Sequence, residues 1–184
     1  MKIMKGFEPI LTERLLIRKL EANDAQEFFN YRSLPEVYEF QSFKPRNTKD
    51  IEAFFGMLSE LPNNPNTWFQ LAICLNDDNK LIGDIGIHFL EDEAQTEIGY
   101  TLSPNFQGVG FATEAVKAVI RYLFMVLGKH RIIASVDPDN EKSIKLLDKI
   151  GMRKEAHFIK SIKINGIWSD DCIYAILKEE YTDI

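Results

Sequence analysis

The sequence predicts an α/β fold in which a mixed sheet is flanked by about four helices, and three observations lead there. A strand-like run, Glu97-Ile98-Gly99-Tyr100-Thr101-Leu102, passes through the glycine-bearing turn Gln107-Gly108-Val109-Gly110-Phe111-Ala112 into a long amphipathic segment. A second strand-like run and a second amphipathic segment come after it, and such alternation places a ligand at the carboxyl ends of the strands. Two further pairs of apolar runs are joined by short turns, which adds hairpins to the sheet.

In chain order, residues 12–20 read as a first strand, and Ala22-Asn23-Asp24-Ala25 starts a helix, with Asn23 or Asp24 near its cap, that runs to about Ser33. Residues 35–47 read as irregular. Thr48 precedes a second helix, because Ile51, Phe54, Phe55 and Leu58 fall on one helical stripe. The run Pro62-Asn63-Asn64-Pro65-Asn66 breaks the chain. Strands at 68–75 and 81–90 are joined by the turn Asn76-Asp77-Asp78-Asn79, and Glu91-Asp92-Glu93 turns into the strand of Glu97. After the glycine turn, Ala112, Val116, Val119, Leu123 and Leu127 recur at steps of three and four, a stripe to be buried on the sheet. Arg131-Ile132-Ile133-Ala134-Ser135-Val136 reads as a buried strand stopped by Asp137-Pro138. Asn140 can cap the next helix, whose Ile144, Leu147 and Ile150 form its apolar stripe and which ends at Gly151. Two last strands, about 155–164 and 172–177, are joined through Asn165-Gly166, a strong hairpin signal.

A chain of 184 residues, 45% of them hydrophobic, is long enough for one well-buried core, so residues 1–184 are expected to form a single domain. No apolar run approaches the ~20 residues that span a bilayer, and Met1-Lys2-Ile3-Met4-Lys5 lacks the apolar centre of a secretory leader. A cytoplasmic protein with no membrane partner is expected. Cys74 and Cys172 lie far apart without C-x-x-C spacing, which fits buried thiols in a reducing compartment and assigns neither a disulfide nor a metal. The histidines likewise lack metal-ligand spacing, so a metal-independent reaction is expected. The formal net charge of −6 argues against a broad electrostatic hold on nucleic acid. It is compatible with a cationic substrate, and equally with an ordinary solubility device.

The glycine turn has the chemistry of an anion cradle. Gly108 and Gly110 remove Cβ atoms from the turn, so consecutive backbone N–H groups can converge on a phosphate at the positive end of a helix. Phe111-Ala112-Thr113 offers no lysine to reach a terminal phosphate, which disfavours nucleotide hydrolysis. A dinucleotide fingerprint would place a small residue at Thr113 and lie earlier in the chain, which disfavours an oxidoreductase.

Gln107-x-x-Gly110-x-Ala112 resembles the Gln/Arg-x-x-Gly-x-Gly/Ala signature of the GNAT superfamily of N-acetyltransferases. Other matches are in register: Glu97-Ile98-Gly99-Tyr100, Asn140-x-x-Ser143, Lys149-Ile150-Gly151-Met152 and Asn165-Gly166-x-Trp168-x-Asp170. From Thr12-Glu13-Arg14-Leu15 to Tyr181, the chain looks like the branch that contains the ribosomal-protein N-terminal acetyltransferases (Rim type).

This resemblance implies a GNAT-like, largely antiparallel sheet in which the strands of Glu97 and Ile132 splay apart to form the acetyl-CoA cleft. It implies acetyl-CoA as acetyl donor and a primary amine as acceptor. The loop Gln107, Gly108, Val109, Gly110, Phe111, Ala112 and Thr113 would hold the pyrophosphate, and the backbone of Tyr100, Thr101 and Leu102 the pantetheine arm like an added strand. Backbone N–H groups there would also stabilise the oxyanion. Asn140 resembles a residue that contacts pantetheine; a plain helix cap is an equally physical role.

An amine with a pKa near ~10 is mostly protonated at neutral pH, and Glu97 is the candidate base, directly or through a water. The competing reading is a solvent-facing strand residue. Many members of the wider family offer a tyrosine general acid on the helix after the Asn140-like residue, where this chain has Leu147. Ser143 is the local substitute, or a helix-start serine bonding backbone. The missing tyrosine sustains an alternative, a non-catalytic acyl-CoA-binding sensor or assembly module. His88 alternates with Asp84 and Gly86, and either lines the acceptor pocket or is a satisfied structural histidine; His130 and His157 carry no signal. Trp168 reads as a packing residue before a substrate platform, and the segment from Tyr38 to Phe43 as a specificity loop whose aromatic residues can also cover the core. The acceptor ranges over protein N-termini, polyamines, amino acids and aminoglycosides, and a homodimer is possible.

Overall fold

Residues 6–182 are described by a computed structural model. The reading of Met1-Lys2-Ile3-Met4-Lys5 lies outside them. Eight strands form one sheet: β1 (Ile10–Leu11), β2 (Leu15–Lys19), β3 (Thr67–Leu75), β4 (Leu81–Phe89), β5 (Gln95–Leu102), β6 (Arg131–Val136), β7 (Arg153–Ile164) and β8 (Ile167–Leu177). Their order is β1-β2-β3-β4-β5-β6-β8-β7. Every neighbouring pair is antiparallel except β5 and β6, which run parallel, so the sheet is mixed and largely antiparallel as expected.

Period-two alternation sorts the side chains onto two faces. Phe69, Leu71 and Ile73 of β3 join the larger core with Val116, Val119 and Leu123, beneath helices α4 (Phe111–Arg121) and α5 (Glu141–Lys149). The intervening Ala72 and Cys74 face Phe28, Val37 and Ile51 of α1 (Ala25–Arg32), α2 (Pro35–Tyr38) and α3 (Thr48–Gly56). Phe43 leaves the segment proposed for specificity and stacks on Phe54 with centroids 4.6 Å apart, so this aromatic covers the second core. Both cysteines are buried free thiols. No helix among the described residues is long and apolar enough to cross a membrane.

Most predicted elements are present, with local corrections. The strand predicted over 12–20 is shorter, β2 at Leu15–Lys19, and an unpredicted β1 precedes it, because the Thr12 hydroxyl accepts from Leu15 N at 3.0 Å and closes a tight turn between the two. Residues 35–47 are not wholly irregular: Pro35, whose missing N–H costs nothing in a first turn, opens α2. Thr48 begins α3 instead of preceding it, and Asn47 is the cap, its Oδ1 accepting from Lys49 N at 3.0 Å. The last strand starts at Ile167, since Asn165 (φ 51°) and Gly166 (φ 85°) alone make the turn. Beyond Arg121, α4 loosens into a π-helix over Tyr122–Val126, closed by Leu127 N donating to Tyr122 O at 3.1 Å. Trp168 is 56% exposed, so it is not a core packing residue.

The helices on the second face are fixed by a buried charge. Asp84 of β4 is fully buried and accepts from the Tyr31 hydroxyl at 2.6 Å, from Arg32 Nε at 3.0 Å and from the Gln70 amide. Arg32 also donates to Gln41, whose own amide donates to Thr101 Oγ1 of β5 at 2.8 Å. Removing one partner of such a pair leaves the other charge buried and unpaired. Asp84→Ala is therefore expected to lose about 3–5 kcal/mol of stability in urea unfolding, and Asp84→Ala/Arg32→Met to recover a good part of that loss.

Candidate active site

The parallel pairing of β5 with β6 covers three residue pairs, Gln95 with Arg131, Thr96 with Ile132 and Glu97 with Ile133. Past Glu97 the strands part, yet each remains held on its outer side. Leu102 of β5 still pairs with Gly83 of β4, and Val136 of β6 with Cys172 of β8. The result is the expected splay, a wedge-shaped gap that opens toward the carboxyl ends. Half the backbone polar groups along 99–102 face it, because a strand presents its N–H and C=O groups alternately to its two neighbours.

The glycine loop and α4 stand at the wide end of the gap. Gly108 (φ 81°) and Gly110 (φ 92°) both occupy the left-handed region, where a Cβ is strained. Glu114 N, donating to Gly110 O at 3.1 Å, is the first amide used inside α4, so the preceding amides point out of the helix. Phe111, Ala112 and Thr113 form that first turn. Gln107 bridges the gap's mouth: its amide donates to Leu102 O at 3.1 Å and its Oε1 accepts from Lys142 Nζ of α5 at 3.3 Å.

A clamp from the other end of the chain fixes this loop. Glu114 accepts from the Thr12 hydroxyl at 2.6 Å, from Arg14 N at 3.0 Å and from Arg14 Nε at 2.7 Å. Partial burial would raise the Glu114 pKa, but these hydrogen bonds outweigh it and hold the carboxyl below its ordinary value. The same guanidinium donates to Val109 O at 3.0 Å and lies 4.5 Å over the Phe111 ring. Sequence reasoning missed this clamp. Its one available signal was an acidic residue in a helix's first turn, with no local clue that its partners lay a hundred positions away.

Glu97 sits where the pairing stops, on the same face as α1 and Asp84. Burial raises its pKa above the ordinary glutamate value; the nearby His88 opposes this, and the charge of Asp171 adds to it. His88 Nδ1 is 3.8 Å from Glu97 Oε2, and its ring stacks on Trp68 at 4.8 Å. Asp171, itself buried, accepts from Ser135 Oγ at 2.6 Å. His88 thus lines this pocket beside Glu97, and Trp68 is a wall residue that sequence reading did not single out. His157 instead bonds Asp170 at 2.8 Å on the exposed β7–β8 ribbon.

Tyr100, three positions beyond Glu97, leaves the opposite face of β5. Its hydroxyl oxygen is 2.7 Å from Ser143 Oγ and 3.3 Å from Ser143 O, two partners for one phenol hydrogen. Burial pushes the phenol up to about 12, opposed in part by the Ser143 bond. Asn140 is the cap of α5, with Oδ1 accepting from Ser143 N at 3.1 Å. Leu147 is fully buried and its side chain has no proton to donate. Glu97 and Ser143 therefore flank one gap from opposite faces of the sheet. A phosphate at the loop, a slender arm in the gap and a reacting group near Glu97 all fit this arrangement.

The acetyltransferase (GNAT) domain family matches residues 14–153. The chain is 36% identical over 172 residues to the uncharacterized N-acetyltransferase YnaD of Bacillus subtilis (strain 168), covering 94% of this chain and 98% of that protein. Likeness to the [ribosomal protein uS5]-alanine N-acetyltransferase of Escherichia coli (strain K12) is lower, 25% identity over 181 residues, covering 94% of this chain and 92% of that one. Among solved structures, a GNAT-family acetyltransferase from Bacillus anthracis superposes with a TM-score of 0.84 at 34% identity, over 94% of this chain and 100% of that one. The Rim-type likeness read from the sequence is thus the more distant of these.

A Cβ at position 110 would be forced into the left-handed region and would stand 3.4 Å from Arg14 Nη2. Gly110→Ala is expected to cost about 1 kcal/mol of stability and to weaken CoA about tenfold in isothermal titration, through displacement of the loop amides. Unchanged CoA affinity would remove the loop from the binding site.

Proposed function

Because the chain belongs to the GNAT acetyltransferase family, it is an acetyl-CoA-dependent N-acetyltransferase, and from this premise we propose which residues do the work and which amine they serve. The carrying observation is the gap between β5 and β6, with an anion cradle at its wide end and a pKa-raised carboxylate at its narrow end. The amides of 108–113 hold the pyrophosphate. The free edge of β5 at Tyr100, Thr101 and Leu102 holds the pantetheine arm, and Asn140, whose Oδ1 is spent on the cap, offers its Nδ2 to it.

Acetyl-CoA supplies the acetyl group already activated as a thioester. What remains for the protein is to free the amine's lone pair. At neutral pH only about one alkyl amine in a thousand is unprotonated, a handicap of about 4 kcal/mol, and about one protein amino terminus in ten, a handicap of about 1 kcal/mol. Glu97 removes the proton, directly or through a water, and its raised pKa brings it closer to the amine's as a base. Glu97 and Asp171 together draw the ammonium form into the pocket. Backbone N–H groups on the free edge of β5 hydrogen-bond the developing oxyanion, and Ser143 supplies a hydroxyl to the departing sulfur.

The acceptor we propose is a protein N-terminal amine, as in the Rim-type branch. Support comes from the β7–β8 ribbon, where Phe158, Ile159, Ile167 and Trp168 are 50–70% exposed. Asn165 at its tip donates to Tyr38 O of α2 at 3.4 Å, so this apolar surface adjoins the Glu97 face and can carry the residues behind an amino terminus. Family membership weighs against the non-catalytic alternative.

The test is release of free CoA thiol with N-terminal peptides, polyamines, amino acids and aminoglycosides. Peptide-dependent release above the hydrolysis background is expected, and turnover confined to small amines would overturn the acceptor assignment. Glu97→Gln is expected to lower kcat at least about a hundredfold while leaving acetyl-CoA binding nearly unchanged. Since Glu97 must be ionised to act, wild-type activity should fall as pH drops through a value above the ordinary glutamate pKa, and the residual activity of Glu97→Gln should lack that limb. Equal activity in the variant would remove Glu97 from the mechanism.

A further inference from the structure

The hydroxyl pair formed by Tyr100 and Ser143 lies at the gap on the face of the sheet opposite Glu97, at the point where the β5–β6 pairing has just ended. Resting on the acetyl-transfer reading above, we infer that Tyr100 is a positioning residue for the reaction: its phenol donates to Ser143 Oγ and so turns the Ser143 hydrogen toward the sulfur of the bound thioester.

Chemistry sets the direction of that bond. A phenol is a stronger acid than an aliphatic alcohol, so of two hydroxyls 2.7 Å apart the phenol is the better donor. The Ser143 carbonyl is the competing acceptor for that one hydrogen, but at 3.3 Å from the phenol oxygen against 2.7 Å for Oγ it is the longer and weaker of the two. With its oxygen accepting from Tyr100, Ser143 keeps its own hydrogen for a third partner. The serine backbone is fixed, because Ser143 N is capped by Asn140 in the first turn of α5, the end of a helix that favours an anion.

The high pKa of the phenol, about 12, keeps it a donor throughout the working range. It also makes Tyr100 too weak an acid to protonate a thiolate, whose ordinary pKa is about 8.5. The role is therefore orientation. As the nitrogen–carbonyl bond forms and the carbon–sulfur bond breaks, the electron pair stays on sulfur, which Ser143 hydrogen-bonds until water supplies the proton. The amine's proton leaves through Glu97. A tyrosine on β5 thus serves the end of the reaction that a helix tyrosine serves elsewhere in the family, from a place where the buried Leu147 offers nothing.

The experiment combines Tyr100→Phe, Ser143→Ala and the double variant with two readouts. Each single change is expected to lower kcat about tenfold, with the acceptor KM unchanged and the double variant no worse than Ser143→Ala. Separately, affinity for CoA and for desulfo-CoA is titrated from about pH 7 to about pH 9.5, across the thiol's ionisation. Neighbours such as Glu97 and Lys142 affect both ligands alike, so the difference reports the sulfur alone. Wild type should gain affinity for CoA over desulfo-CoA as pH rises, and both single variants should lose that gain. Additive kcat losses, or a gain retained in Tyr100→Phe, would overturn the inference. Absence of amine-dependent thiol release in wild type would instead strike the acetyl-transfer reading, while the binding comparison would still decide the hydroxyl pair.

Discussion

Two parallel strands that pair for three residues and then part create everything the site uses. Parting leaves backbone donors and acceptors without a strand partner, which is costly where nothing polar replaces it. The sheet tolerates this because β4 and β8 hold the two strands from outside, so the gap is a fixed feature of a rigid frame. A ligand arm with amide groups can then complete both edges. The same divergence separates the faces: Glu97 ends the paired segment on one, and Tyr100 opens onto the other.

Two carboxylates on one face of that frame show how surroundings decide role. Asp84 is surrounded by donors from Tyr31, Arg32 and Gln70, and so anchors α1 to the sheet. Glu97 has only His88 at 3.8 Å and the repelling charge of Asp171, and burial lifts its pKa. The satisfied carboxylate stabilises structure. The poorly satisfied one keeps a lone pair for a proton, which is what the proposed amine chemistry needs. The pathway Asp84–Arg32–Gln41–Thr101 also links α1 and the segment after α2 to β5, so the helices of the second face and the strand bearing Glu97 share one polar network.

At the other end, the glycine loop gains rigidity from outside itself. Its two left-handed glycines allow the cradle shape but give it no stiffness. Thr12 and Arg14 supply that by binding Glu114 and the Val109 carbonyl, which joins the first hairpin of the chain to the first turn of α4. The start of the family match near Arg14 coincides with the start of this clamp.

Local rules made much of this molecule legible. The stripe Val116, Val119, Leu123, the cap at Asn140, the Asn165-Gly166 turn and the glycine loop each depend on residues within a few positions of one another, and each stands where the sequence put it. Glu97 and the glycine loop were picked out as candidates through motif register. What the sequence left open were pairings between distant residues: Thr12 and Arg14 with Glu114, Asp84 with Arg32, Trp68 with His88, and Tyr100 with Ser143. Likewise Ser143 read equally as a cap residue or a hydroxyl for sulfur, and only the phenol beside it distinguishes its side chain from its capped amide. Helix periodicity, capping and turn geometry are short-range and so are written along the chain. The gap, the clamp and the hydroxyl pair depend on strand order and register, which arise only when remote segments compete for the same sheet edge and the same buried volume.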